Sequence, residues 1–235
     1  MGVLLAVDTS GKNGGITIAR LPAQQRGALE VLETIPLAGG TFSAQLVPQI
    51  ADLLAGHQKS KADIEVFAVV SGPGSFTGLR VGLAAIKALA EVLQKPIVAV
   101  SLLEAISLLS PKSGRTTAAL EAGRGDVYAG TYNVQAIESN NDASSREATL
   151  VEERLLSREE FVEICRTTAI VTPDATLAEL SQRSGGSAEQ VFYPDTGLIA
   201  RIGWRKLQAG QTVAPMELDA NYIRRSDAEI FSKPK

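Results

Sequence analysis

Apolar positions change period along the chain, and the changes mark the elements. Val3-Leu4-Leu5-Ala6-Val7 is an unbroken apolar run closing on Asp8, which predicts a buried strand over Val3–Asp8. Thr9–Gly15 is rich in residues that tolerate the left-handed region and reads as a turn. Ile16–Leu21 and Ala28–Pro36 complete a meander of three antiparallel strands. Leu46, Val47, Ile50, Leu53 and Leu54 recur at helical spacing within Phe42–Leu54, with Ser43 near the start.

The pattern centres on Val69–Val100. A strand, Ile64–Val70, runs into Gly72-Pro73-Gly74, which only a tight loop accommodates. Ser75 is a good N-cap, and Pro96 stops the following helix after about Gln94. Within it Leu79, Leu83, Ile86, Ala90 and Leu93 form one apolar stripe, and Val81, Ala85, Ala88 and Val92 form a second beside it. Gly78 and Gly82, one turn apart, leave bare backbone on a third strip. Arg80, Lys87, Glu91 and Gln94 fall on one narrow line. A helix apolar on so many sides needs more cover than one sheet, supplied by a second helix of the same domain or by another protein.

A strand over Ile97–Val100 and a helix over Leu102–Leu109, capped by Ser101, close the first half. Pro111-Lys112-Ser113-Gly114 is the expected domain boundary, giving a first lobe over 1–110 and a second over 111–235. Beyond it the spacing predicts a hairpin, Thr116–Leu120 and Asp126–Asn133, joined by Glu121–Gly125. Ala136–Ala148 is expected as an exposed polar loop. A strand near Thr149–Val151, a helix over Ser157–Cys165, a strand over Ala169–Val171 and a helix over Ala175–Arg183 follow. The last helix, Gly197–Leu207, and the tail are expected to pack back on the first lobe, with fraying after Arg225. The order β-β-β-α-β-α occurs twice, so the expected class is α/β in two lobes.

Composition narrows the function. The 235 residues are 45% hydrophobic and 21% charged, with formal net charge −3, which argues against autonomous nucleic-acid binding. No apolar run reaches membrane-spanning length, and no signal peptide is evident. Cys165 is the single cysteine, which fits a reducing cytoplasm. His57, the single histidine, sits where a helix is ending and makes neither a zinc site nor a catalytic pair with a distant cysteine.

Two stretches could meet an anion. Asp8-Thr9-Ser10 ends the first strand with an acid and hydroxyls, as a phosphate or metal turn would, or as a hairpin turn capped by Asp8. Gly72, Gly74 and Ser75 precede a helix N-terminus, where free amides and the dipole favour phosphate, or make a purely structural turn. No Gly-Lys-Ser/Thr follows, so this is not a Walker loop, and Arg80 is the nearby cation. Glu121, Arg124 and Asp126 at the second hairpin, and Tyr222, Arg224 and Arg225 near the end, form no recognisable acid–base pair.

Four motifs in order, Asp8-Thr9-Ser10, Ser71-Gly-Pro-Gly-Ser-Phe-Thr-Gly-Leu-Arg80 with Val81-Gly82, Glu121-Ala-Gly-Arg-Gly-Asp-Val-Tyr128 and Asn221-Tyr-Ile-Arg224, resemble the TsaB (YeaZ) family over nearly the whole chain. Glu121 stands where that family usually has Asp, and Ala220 where it has Pro. The resemblance implies the ASKHA fold of actin, sugar kinases and Hsp70. It implies a role in forming N6-threonylcarbamoyladenosine at position 37 of tRNAs that read codons beginning with adenine. It further implies a non-catalytic subunit, with no cofactor or metal of its own. Its partner would be TsaD, with a TsaE-like ATPase in the larger complex, tRNA met through that complex, and a homodimer when alone. On that reading Thr77, Gly78, Val81, Gly82, Ala85, Ala88, Leu89 and Val92 form the partner interface. Two alternatives stay open: an active ASKHA ATPase or kinase using Asp8 and an acid of the Glu121–Asp126 hairpin, and a metallopeptidase-like protein.

Overall fold

The computed structural model describes residues 2–23, 27–137, 143–221 and 223. The chain divides into two compact units, Met1–Ala105 with Pro194–Ala220, and Ile106–Tyr193 with Asn221–Lys235. The division falls ahead of the Pro111–Gly114 break, inside a short helix whose apolar residues are buried. No described helix is long and apolar enough to cross a membrane.

In the first unit, β1 (Val3–Asp8), β2 (Asn13–Arg20), β3 (Glu30–Ala38), β4 (Ile64–Gly72) and β5 (Ile97–Ser101) form a mixed sheet in the order β3-β2-β1-β4-β5. The meander β1–β2–β3 is antiparallel, and β4 and β5 add in parallel. Between the strands run α1 (Phe42–Gly56), α2 (Phe76–Leu93) and α3 (Leu102–Leu108). All six residues of β1 are buried because helices cover both faces of the sheet. Period-2 alternation turns Val3, Leu5 and Val7 toward the core shared with Leu46 and Ile50 of α1 and Leu79, Leu83 and Ile86 of α2. The opposite face meets the last helix, where Gly203 lies so close to Ala68 that a Cβ on it would stand 2.5 Å from the alanine methyl.

The second unit repeats the plan. Its strands are β6 (Gly114–Gly123), β7 (Asp126–Ala136), β8 (Arg146–Leu156), β9 (Ala169–Thr172) and β10 (Ala188–Gln190), in the order β10-β9-β6-β7-β8. Read from the other edge this is again third-second-first-fourth-fifth, antiparallel in the meander and parallel beyond it. α4 (Arg158–Cys165) and α5 (Ala175–Arg183) pack Phe161, Cys165 and Leu177 onto Val127, Ala129 and Ile170. The final helix, α6 (Thr196–Gln208), belongs to the first unit, where Thr17 bonds Thr196 at 2.6 Å and Ile199 and Ile202 are buried.

Two expectations need correction. β8 is an eleven-residue strand, not the short piece Thr149–Val151, and β7 runs through Ala136, so less of Ala136–Ala148 is loop. β8 is an edge strand exposed on most positions, so its sequence lacks the alternation of a half-buried strand. β10, three residues paired on one side only, carries no pattern at all. The tail after Arg225 and residues 138–142 of the expected loop lie outside the described residues.

Candidate functional site

The Asp8-Thr9-Ser10 turn and the start of α2 meet. β1 delivers Asp8 to its C-terminal end, where the carboxyl is buried. Ser10 donates to Asp8 Oδ1 from its amide at 2.7 Å and its hydroxyl at 2.6 Å. Burial pushes the Asp8 carboxyl above its ordinary value, opposed by these two bonds. Thr9 Oγ1 donates to the Gly78 carbonyl at 2.8 Å, and the Ser75 amide donates to the Ser10 carbonyl at 2.6 Å. Ser75 also caps α2, its Oγ accepting from the Gly78 amide. The Gly72–Pro73 peptide is cis, and Gly72 has φ +129°.

Three glycines make this approach feasible. A Cβ on Gly74 would stand 2.4 Å from the Ser10 carbonyl oxygen, one on Gly78 2.0 Å from the Thr9 carbonyl oxygen, and one on Gly82 2.2 Å from Thr9 Oγ1. Gly74, Gly78 and Gly82 recur every four residues and form one shallow groove, which Thr9 and Ser10 fill. Gly78 and Gly82 are buried here and turned inward. This corrects the expectation that they lie on an outward strip: their small size serves the chain's own β1 turn.

The same geometry tests the nucleotide that an ASKHA fold implies. A phosphate at this helix start needs free amides and open glycines. The Ser75 and Gly78 amides are bonded within the chain, and the groove is filled. Arg80 lies with its guanidinium 3.7 Å from the centre of the Phe76 ring. Two of the amides at this helix start are thus engaged by the chain itself.

In the second unit Arg158 Nη1 donates to Glu121 Oε1 at 2.7 Å, and the Glu121 amide donates to Asp174 Oδ2 at 2.8 Å. Asp174 follows β9 and opens α5, the place Ser75 holds between β4 and α2. It puts an anion where a phosphate loop would want amides. Arg124 sits at φ +56° between Gly123 and Gly125, also left-handed, at the hairpin tip near Asp126. Asn221 donates from Nδ2 to Glu153 Oε2 at 2.6 Å, and the Tyr132 hydroxyl donates to the same carboxylate. Tyr222, Arg224 and Arg225 lie outside the described residues. Among the described residues no three His, Cys, Asp or Glu side chains converge as a metal site. His57 bonds Glu33 at 2.8 Å across the end of α1, and burial pushes the Cys165 thiol up in the second core.

Part of the outward side of α2 is apolar, flanked by the exposed Arg80 and Glu91, and no described residue covers it. Thr77, Ala84, Ala88 and Val92 are exposed, Val92 at 76%, while Val81, Ala85 and Leu89 are half-buried. Sequence reasoning missed Phe76, an exposed aromatic at the head of the same helix. It also missed Lys87, whose Nζ donates to the Leu218 carbonyl at 2.7 Å. Leu218 is buried in the first core, and Val213 bridges to Ile97 at the β5 edge. No periodicity marks the segment from Val213 to Leu218, so nothing in the sequence announces it.

Comparison with known proteins agrees with these motifs. A family model described as "TsaD: tRNA N6-adenosine threonylcarbamoyltransferase" matches residues 36–177, more than half of the chain. The tRNA threonylcarbamoyladenosine biosynthesis protein TsaB of Bacillus subtilis is 33% identical over 130 residues, 55% of this chain and 54% of that protein. The protein of the same name from Escherichia coli is 28% identical over 73% of this chain and 70% of its own length. An uncharacterised protein of Mycobacterium leprae, ML0378, is 28% identical over 97% of this chain and 56% of its own length. The chain thus spans just over half the length of the first two curated relatives it matches. The solved structure of YeaZ from Pseudomonas aeruginosa superposes with TM-score 0.73 at 21% identity, covering 94% of this chain and all of that one, so the two share the ASKHA-like fold. The chain belongs to the TsaB/YeaZ family.

Proposed function

We propose that this chain is a non-catalytic partner of a TsaD-like protein in forming N6-threonylcarbamoyladenosine in tRNA, docking through the outward face of α2. The observation that carries this reading is that face: Ala84, Ala88 and Val92 are exposed, the half-buried Val81 and Ala85 adjoin them, Thr77 and Phe76 stand at the head, and Arg80 and Glu91 flank the stripe. Contiguous exposed apolar surface of this kind marks an interaction site. The resemblance gives the catalytic relative TsaD a pair of metal-binding histidines, and the single histidine here, bonded to Glu33, supports the non-catalytic role. The names of the Bacillus subtilis and Escherichia coli relatives support the pathway. In the same reading a second copy occupies the stripe when the partner is absent, a TsaE-like ATPase joins the assembly, tRNA is met through the complex, and the chain works in the cytoplasm.

The test is tRNA modification with purified components. The chain alone transfers no threonylcarbamoyl group, and the organism's own TsaD-like protein with the other pathway components does so faster when the chain is added. Transfer by the chain alone sinks the non-catalytic assignment. An unchanged rate on adding the chain sinks the partner role.

A further inference from the structure

The Asp8-Thr9-Ser10 turn stands where an ASKHA relative would hold phosphate, yet here it lies in the Gly74–Gly78–Gly82 groove. We propose that this turn is a strut that positions the docking helix, and that Thr9 is its positioning residue; this rests on the reading that the outward face of α2 receives the partner. Thr9 is 2% exposed, so it does not itself touch a partner. Its Oγ1 holds the Gly78 carbonyl at 2.8 Å and its side chain lies along Gly82. Thr77 and Val81 immediately precede those two glycines and carry the first two turns of the outward stripe. The Ser75–Ser10 backbone bond at 2.6 Å fixes the helix start to the same turn. Asp8 in turn fixes Ser10 through two bonds to one oxygen. A chain of bonds therefore runs from the end of β1 to the first turns of the docking face.

A partner that recognises one placement of those turns binds only the fraction of molecules that hold it. Thr9→Val keeps the shape and removes the donor, whereas Thr9→Ser keeps the donor. We expect Thr9→Val to stay folded by circular dichroism and to show faster hydrogen exchange at residues 78–82. Its affinity for the organism's TsaD-like protein, by titration calorimetry, should fall about tenfold, with Thr9→Ser restoring it to within about threefold of wild type. A Thr9→Val protein with wild-type affinity and exchange overturns the strut, and so does a Thr9→Ser protein as weak as Thr9→Val. If Thr9→Val does not fold, the wild-type protein decides. Partner binding should slow exchange at the buried Ser10 amide, because coupling is reciprocal. An unchanged Ser10 amide under saturating partner overturns the proposal. A wild-type chain that binds no TsaD-like protein overturns the docking reading itself and Thr9's role with it; binding by wild type that Thr9→Val matches overturns the strut alone.

Discussion

Thr9 reaches across 69 residues of sequence to donate its hydroxyl to the Gly78 carbonyl, joining the end of β1 to the first turn of α2. A helix carbonyl accepts this bond without leaving the helix, so the contact ties two elements together and distorts neither. It works because Gly78 and Gly82 expose bare backbone where any other residue would carry a Cβ.

Filling that contact should be costly. Gly78→Ala sets a Cβ 2.0 Å from a backbone oxygen, which no side-chain rotation relieves. We expect it to lower the unfolding free energy by about 1–3 kcal/mol in urea titrations. Gly56→Ala, at the end of α1 with nothing within 4 Å, is the control. It should leave stability unchanged or raise it by up to about 1 kcal/mol. Equal effects at both sites would show that the groove is not tightly filled.

Asp8 makes stability depend on pH in a stated direction. Its folded pKa lies above the ordinary 3.8, because burial disfavours the carboxylate more than the Ser10 bonds favour it. The folded state therefore binds the proton more tightly than the unfolded state. The stabilisation is complete below the unfolded pKa and is lost as pH rises through the folded one. Asp8→Asn keeps an oxygen acceptor for Ser10 and does not titrate. The wild-type stability relative to Asp8→Asn should fall as pH rises from about 4, measured by denaturant unfolding at each pH. A difference that is flat or rises with pH contradicts the account.

Elements with a strong period could be read from the sequence, and those without one could not. Ser75 and Pro96 bracket α2, which the structure ends at Leu93 with Gln94 left-handed. The two central strands of the first unit are visible because Val3–Asp8 and Ile64–Val70 are apolar apart from Asp8 and Glu65, as strands covered on both faces are. β8 was largely hidden because Thr149, Leu150, Val151 and Glu152 are all exposed. The inward turn of Gly78 and Gly82 was hidden for a different reason. Helical spacing reveals that two small residues share a face, but which neighbour they admit depends on Thr9, whose contact is tertiary.

Leu218 and Lys87 belong to the same class of hidden contact. Leu218 is 2% exposed in the first core, and its carbonyl accepts from Lys87 Nζ. Leu218→Ala should cost about 2–4 kcal/mol of stability as a core truncation. Lys87→Met, which keeps most of the apolar stem and loses the bond, should cost about 1 kcal/mol. Equal losses for the two variants in thermal or urea unfolding would mean that the segment is held by its polar contact and not by burial.

The central claim is that the outward face of α2 docks a TsaD-like protein, and one substitution tests it most directly. Ala85 is half-buried, so Ala88, fully on the exposed side, is the cleaner position. In Ala88→Glu the carboxylate is solvated in the free chain and is forced into apolar surroundings in the complex, at a penalty of about 2 kcal/mol or more unless it finds a cation. The measurement is the dissociation constant of the complex with the organism's TsaD-like protein, for wild type and for Ala88→Glu of unchanged circular dichroism and melting temperature. The account predicts binding by wild type and a loss of about thirtyfold or more in the variant. Binding of the folded Ala88→Glu protein at wild-type affinity would contradict it.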